Sequence, residues 1–301
     1  MKNQQKAYIY AGLSVCIWAT VASAFKVSLV YFDSLQLLFF SSITSILALF
    51  SILFFQKKIH LLKNSRLRDY ITSVIMGFIN PFVYYLVLFK AYAVLPAQEA
   101  QPLNYTWPIM LTLLSIPLLK QRVKWISVFA ILISFIGVFI ISTKGDLLTF
   151  KFSNLNGALL ALSTAIIWAL FWIFNIRDKR DDSVKLFLSF IFGFIYISIA
   201  TFFFSDFNIP NSQALWGTVY IGLFEMGITF VLWAMALQYS ETTAKVSKFI
   251  FLTPFLSLIV VYFVVGEKIL SSTIIGLLFI VAGIILEQVF GQKKQLENQA
   301  A

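Results

Sequence analysis

Cysteine and histidine are almost missing from this chain: Cys16 and His60 are the only ones among 301 residues. A lone cysteine excludes an internal disulfide and a thiolate cluster, and a lone histidine argues against a histidine-rich metal site. Charge is scarce as well. Charged residues make up 12% of the chain, against about a quarter in a soluble domain. No phosphate-binding glycine loop and no zinc-ligand spacing is present, and no cofactor is expected. The net charge of +10 does not point to nucleic acid, because no stretch is composed like a soluble domain that could carry a basic binding surface.

What fills the chain is apolar. Hydrophobic residues reach 60%, phenylalanine alone counts 33, and the mean hydropathy is +0.88. A water-soluble core cannot hide that much apolar surface, so the expected solvent is the lipid bilayer. Apolar runs fall at about 7–29, 35–55, 70–91, 97–119, 124–143, 154–176, 184–204, 213–237, 243–265 and 272–290, each near the ~20 residues that span a membrane. They are long and lack strict alternation, which favours helices over strands.

The two halves resemble each other. Trp18 in "CIWA" matches Trp168 in "IIWA", and a shift of 146 residues lays Pro108 over Pro254, Arg122 over Lys268 and Gly137 over Gly283. Five spans per half is an odd number, so the halves must cross the membrane in opposite senses. The expected fold is an all-α integral membrane protein of ten transmembrane helices in two inverted five-helix repeats, at 1–146 and 147–292, followed by a cytoplasmic tail at 293–301. Ala22-Ser23-Ala24 resembles a signal cleavage site, but the first segment has a partner in the second half and is expected to be retained.

Basic residues fall on alternate connections. Lys57, Lys58, Lys63, Arg66 and Arg68, then Lys120, Arg122 and Lys124, then Arg177, Lys179, Arg180 and Lys185 share one side with Lys2, Lys6, Lys293 and Lys294; Lys144, Lys151 and Lys268 lie opposite. The positive-inside rule then places both termini in the cytoplasm of a cell that carries this protein in its plasma or inner membrane.

Spans arranged five plus five, Trp-Ala in the first and sixth spans, and proline in the fourth and ninth with Gly266-Glu267 after the ninth resemble the drug/metabolite transporter superfamily, EamA type, over residues 7–290. "NYTWP" at 104–108, with Glu99 just before it, is similar to the aromatic amino acid exporter branch. The resemblance implies a cavity lined by spans 1, 3, 4, 6, 8 and 9, and secondary transport, often export, of small organic solutes. The first half departs from the pattern, with Lys120-Gln121 in place of Gly-Glu.

The residues themselves point to an aromatic cavity. Trp18, Trp107 and Trp168 fall near segment centres, where an indole N–H needs a partner; Trp172 shares a helix face with Trp168. Tyr84 and Tyr105 extend this set. Trp125, Trp216 and Trp233 fall near segment ends and suit the membrane interface. Glu225 lies near mid-membrane, where a carboxyl is costly and marks a candidate site for a proton or an ammonium group. Asn80 lies close to its counterpart in segment three, before Pro81. Asn104 is deep in segment four. Glu99, near the start of that segment, suits a capping role, and the resemblance adds a substrate role. Lys248 sits where it can attract a substrate carboxylate, whereas Lys26 and Lys90 can snorkel to the outer interface. Glu287 is expected to be structural.

Pro108 and Pro254 are expected to bend the fourth and ninth spans and to act as hinges. The expected function is a secondary transporter, an exporter by preference, of amino acids or other aromatic or amphipathic metabolites. Its partners are that solute, lipid and, through Glu225, protons. Uncoupled facilitation is equally compatible with the residues, whereas a channel would need a continuous polar lining. A membrane enzyme would need clustered acids, a metal site or an activated nucleophile.

Overall fold

A computed structural model of the chain describes residues 3–64, 66–119, 125–146, 154–209, 212–240, 246, 248–286 and 289, and every regular element among them is helical. In order these are α1 (Gln4–Ser28), α2 (Ser34–Phe55), a 3₁₀ turn at Ile59–Asn64, and α3 (Leu67–Gly77) joined to α4 (Tyr84–Val94) through a π-helical turn at Phe78–Val83. Then come α5 (Ala97–Asn104), α6 (Trp107–Leu119), α7 (Trp125–Ser142), α8 (Leu155–Arg177) and α9 (Asp182–Phe204). A second π-helical turn, Ile221–Ile228, joins α10 (Ser212–Tyr220) to α11 (Thr229–Tyr239); a 3₁₀ turn at Lys248–Leu252 precedes α12 (Thr253–Val264), and α13 (Ser271–Leu286) follows.

Among the described residues, six helical runs are long and apolar enough to cross a membrane: Gln4–Ser28, Ser34–Phe55, Leu67–Val94, Leu155–Asn175, Asp182–Phe204 and Ala214–Tyr239. The apolar helices Val128–Ser142, Phe249–Val264 and Ser271–Leu286 are shorter. The outer surface is as apolar as the interior: Trp125, Phe202, Phe203, Phe204, Trp216 and Phe263 are all exposed. Such a continuous apolar exterior needs lipid around it. The chain is a multi-pass membrane protein.

Local chemistry starts the long helices. The Asn3 side chain accepts from the Lys6 N–H at 3.1 Å, and Asn154 accepts from Gly157 at 2.9 Å. Asp33 caps α2 at the Leu35 and Gln36 N–H groups, and Asp181 caps α9 at Ser183 and Val184. Each satisfies backbone donors that a first turn leaves open. The first two helices of the stretch from residue 3 and of the stretch from residue 154 therefore begin with the same cap chemistry.

Small residues set the closest packing. A Cβ on Gly137 would lie 2.4 Å from the Gly276 carbonyl oxygen, and one on Gly283 would lie 2.5 Å from the Ala130 carbonyl oxygen. Gly137 thus faces the start of α13 while Gly283 faces the start of α7, so the two helices run antiparallel in contact. Elsewhere Gly77 approaches the Ser189 carbonyl of α9, and Gly222 approaches the Ser41 carbonyl of α2. Each π-helical run is therefore wedged against the second helix of the opposite half. At the end of the molecule where the basic connections lie, Lys58 pairs with Asp181 at 2.8 Å, and Arg180 donates to the Ser73 hydroxyl at 2.9 Å.

One expectation is corrected here. Residues 97–119 do not form one helix bent at Pro108. The helix stops at Asn104, closed by the Tyr105 N–H on the Gln101 carbonyl at 2.9 Å, and restarts with Ile109 and Met110 donating to the Thr106 carbonyl. Pro108 is the second residue of α6, where no amide hydrogen is required. Pro254 holds the same place in α12. Both prolines open helices instead of kinking them.

Replacing Gly137 with alanine pushes a methyl group into backbone atoms of α13. The expected cost is about 1–3 kcal/mol, read as a lower melting temperature in detergent. Gly12→Ala, whose Cβ would meet nothing within 4 Å, should leave the melting temperature unchanged or slightly raised.

Candidate functional site

The second π-helical turn places Glu225 inside the helix assembly, 9% exposed. Turns of this kind insert an extra residue and re-aim a side chain. The Tyr85 hydroxyl donates to Glu225 Oε1 at 3.2 Å, and the Trp18 indole N–H forms a second hydrogen bond to the carboxyl. These are neutral donors, from α4 and α1.

Around this carboxyl is a cavity of about 70 Å³. Its wall takes Trp18 and Phe25 from α1, Tyr84 and Tyr92 from α4, Gln101 and Asn104 from α5, Tyr105 and Trp107 from the break and restart of that span, Trp168 from α8, Glu225 and Phe230 from the α10–α11 run, and Ile250 before α12. These elements occupy the positions of segments 1, 3, 4, 6, 8 and 9, the set that the resemblance implied. The rings brace one another. Tyr84 lies 4.7 Å from Trp168 between centroids, Trp168 lies 5.8 Å from Phe230, and Trp18 lies 5.5 Å from Trp233. Asn104 Nδ2 donates to Thr164 Oγ1 at 2.7 Å and to the Tyr84 hydroxyl at 3.4 Å. The Tyr105 side chain lies in the same wall, beside Gln101.

Seven of the expected residues thus converge: Trp18, Tyr84, Asn104, Tyr105, Trp107, Trp168 and Glu225. Others do not. Asn80 is fully buried in the first π-helical turn, away from the cavity wall, and neither of its amide atoms has a hydrogen-bond partner. Trp172 backs Trp168 edge-on at 6.0 Å without lining the cavity. Glu99 is 1% exposed and lies 3.6 Å from Lys144. Lys26 does not simply snorkel: its ammonium donates to the Tyr92 and Leu95 carbonyls at 2.8 and 3.0 Å. Lys248 opens the 3₁₀ turn before α12, but its side chain, like Glu287, lies outside the described residues.

Three residues escaped the sequence reading. Trp233 is buried against Trp18 instead of lying at the interface. Two turns separate it from Glu225 on the same run, a spacing that could have marked it. Tyr85 and Thr164 carry no comparable signal, because hydroxyl-bearing residues are common in this chain and only the contacts single these out.

Beyond the cavity, the start of α5 is tied to the segment between α12 and α13. Gly266 leaves α12 with φ of 78°, a left-handed conformation suited to glycine. Glu267 then accepts from the Ala97 and Gln98 N–H groups at 2.8 and 3.1 Å, capping α5 from the other half of the chain. The capping expected of Glu99 is performed by Glu267. Gln98 returns the contact: its Nε2 donates to the Lys268 carbonyl at 2.9 Å, and its Oε1 accepts from Leu270 N–H at 2.9 Å and the Thr273 hydroxyl at 3.1 Å. Lys26 holds the neighbouring carbonyls, and its ammonium feels the Glu267 charge. The other end of the same short α5 carries Gln101 and Asn104 into the cavity.

The fold and site define a multi-pass membrane protein with an aromatic-lined cavity that holds one carboxyl. The EamA-like transporter family pattern matches residues 5–143 and again 155–287, and the chain belongs to that family. It is similar to an uncharacterized transporter, YoaV, of Bacillus subtilis, at 26% identity over 244 residues, covering 79% of this chain and 81% of the other. An uncharacterized transporter of Archaeoglobus fulgidus is 22% identical over 286 residues, covering 93% and 96%. A solved crystal structure shares the fold with a TM-score of 0.66 at 16% identity, over 98% of this chain and 100% of that one. Membership indicates a membrane transporter.

Glu267→Ala removes the cap that ties α5 to the second half. In a Cys16→Ser background with Gln101→Cys as reporter, labelling by a membrane-impermeant maleimide should become several-fold faster. An unchanged rate would show that Glu267 does not hold α5 in place.

Proposed function

We propose that this protein is a secondary transporter that carries small aromatic or amphipathic organic solutes by alternating access between two inverted five-helix halves, residues 1–146 and 147–292. The observation that carries the reading is the convergence of Trp18, Tyr84, Asn104, Trp168 and Glu225, drawn from both halves, on one buried cavity. Sites at the interface of such repeats are where alternating-access carriers bind their load.

Several contacts support the inverted arrangement. The reciprocal Gly137–Gly276 and Gly283–Ala130 approaches pair residues 146 apart in the way a two-fold axis would. Each π-helical run meets the second helix of the opposite half. Pro108 and Pro254 each open the second helix of a broken span, and these breaks serve as the pivots. The ion pair Lys58–Asp181 brings two lysine- and arginine-rich connections to one end of the molecule. That end faces the cytoplasm under the positive-inside rule, which puts the Glu267 latch on the outer side. Outward movement is the favoured direction.

Glu225 is the only carboxyl among the described lining residues, so it carries the coupling proton. In proteoliposomes, saturable flux of an aromatic solute should respond to an imposed pH gradient. Glu225→Gln should remove that response and lower the flux at least tenfold, on the order expected when a buried polar partner is lost, without changing the amount inserted. Non-saturable flux indifferent to Glu225 would mean a pore, not a carrier.

A further inference from the structure

The carboxyl in this cavity has no cation beside it among the described residues. Among the described residues no lysine or arginine pairs with Glu225, and no lysine, arginine or histidine lines the cavity. The nearby cation on α1, Lys26, is held by the Tyr92 and Leu95 carbonyls. A carboxylate taken out of water without a counter-charge is costly. The geometry around it leaves room for one to be brought in.

Some polar groups of the wall are engaged with one another. Tyr85 and Trp18 donate to Glu225. Asn104 uses its amide hydrogens on Thr164 and Tyr84, so what it can still offer a ligand is its acceptor oxygen. The indole N–H groups of Trp107 and Trp168 are neutral and balance no negative charge. The charge the described wall presents is thus the one carboxyl, together with the ring faces of Tyr84, Trp168 and Phe230, which lie within 5.8 Å of one another along the chain of contacts. Ring faces attract cations and stack on aryl groups.

We propose that the solute is an aromatic amine in its protonated form: the ammonium serves as the counter-ion of Glu225, and the aryl group lies against Tyr84, Trp168 and Phe230. This rests on the transporter reading above and narrows it. An amino acid zwitterion fits less well, because its carboxylate would enter beside Glu225 with no cation among the described lining residues to meet it.

Tyramine, tyrosine and hydroxyphenylpropionate share one aryl group and differ in charge as cation, zwitterion and anion. In equilibrium dialysis with the purified full-length protein, tyramine should bind, tyrosine should bind at least about tenfold more weakly, and the anion should not bind measurably. Glu225→Gln should lose tyramine binding by about tenfold or more, while Glu225→Asp retains it; melting temperatures verify that both variants are folded. Tyr84→Leu is the second variant and should weaken tyramine without creating affinity for the anion. Tyrosine or the anion binding as tightly as tyramine overturns the proposal, as does tyramine binding unaffected by Glu225→Gln. Counterflow of the same solutes separates the two readings. Tyrosine flux without tyramine flux sinks the amine assignment and keeps the carrier. Tyramine binding without flux of any of the three keeps the site and sinks the carrier.

Discussion

A backbone that crosses lipid has no water to satisfy its N–H and C=O groups, so it must stay helical wherever it faces the acyl chains. Every interruption in this molecule obeys that constraint. The π-helical turns at Phe78–Val83 and Ile221–Ile228 are wedged against α9 and α2. The break between α5 and α6 opens onto the cavity, and the 3₁₀ turn before α12 contributes Ile250 to the same wall. Both π-helical turns bury residues of their own, Asn80 and Pro81 in the first and Glu225 and Met226 in the second.

Gathering the irregular turns in one place is what makes a site there. A π-helical turn brings Glu225 into the interior, and the end of α5 brings Asn104 and Tyr105. The aromatic side chains that would otherwise fill a plain core are held apart by polar ties, Tyr85 on Glu225 and Asn104 on Thr164. These ties join residues far apart in sequence, across both halves. The tie at the far end of α5 has the same character: a glutamate from one half caps a helix in the other. The site and this tie both join residues from the two stretches that the family pattern matches.

Much of this could be read from the residues. The bilayer as solvent, the helical class and the likeness of the halves follow from long apolar runs and a few matched positions, because hydropathy and periodicity act locally. Trp18, Trp168 and Glu225 stood out because polar or indole groups at mid-membrane depth need a reason to be there. Depth along a helix does not say which way a residue points, however. Asn80 has the same depth as Glu225 and lies buried away from the cavity, and Trp172 shares a face with Trp168 but sits behind it. Trp233 looked interfacial by its place near a segment end and proved to be the ring against which Trp18 packs.

Sequence alone determined that this chain lives in a membrane, that it is helical, and where its spans and prolines fall, since each of these depends on transfer free energies and backbone geometry within a few turns. Tertiary structure decided that Pro108 and Pro254 begin helices instead of bending them, that Glu267 and not Glu99 caps α5, and that Tyr85 and Trp18 share one carboxylate. Those outcomes depend on which helix lies beside which, and contacts between residues a hundred or more positions apart leave no periodic trace in the chain.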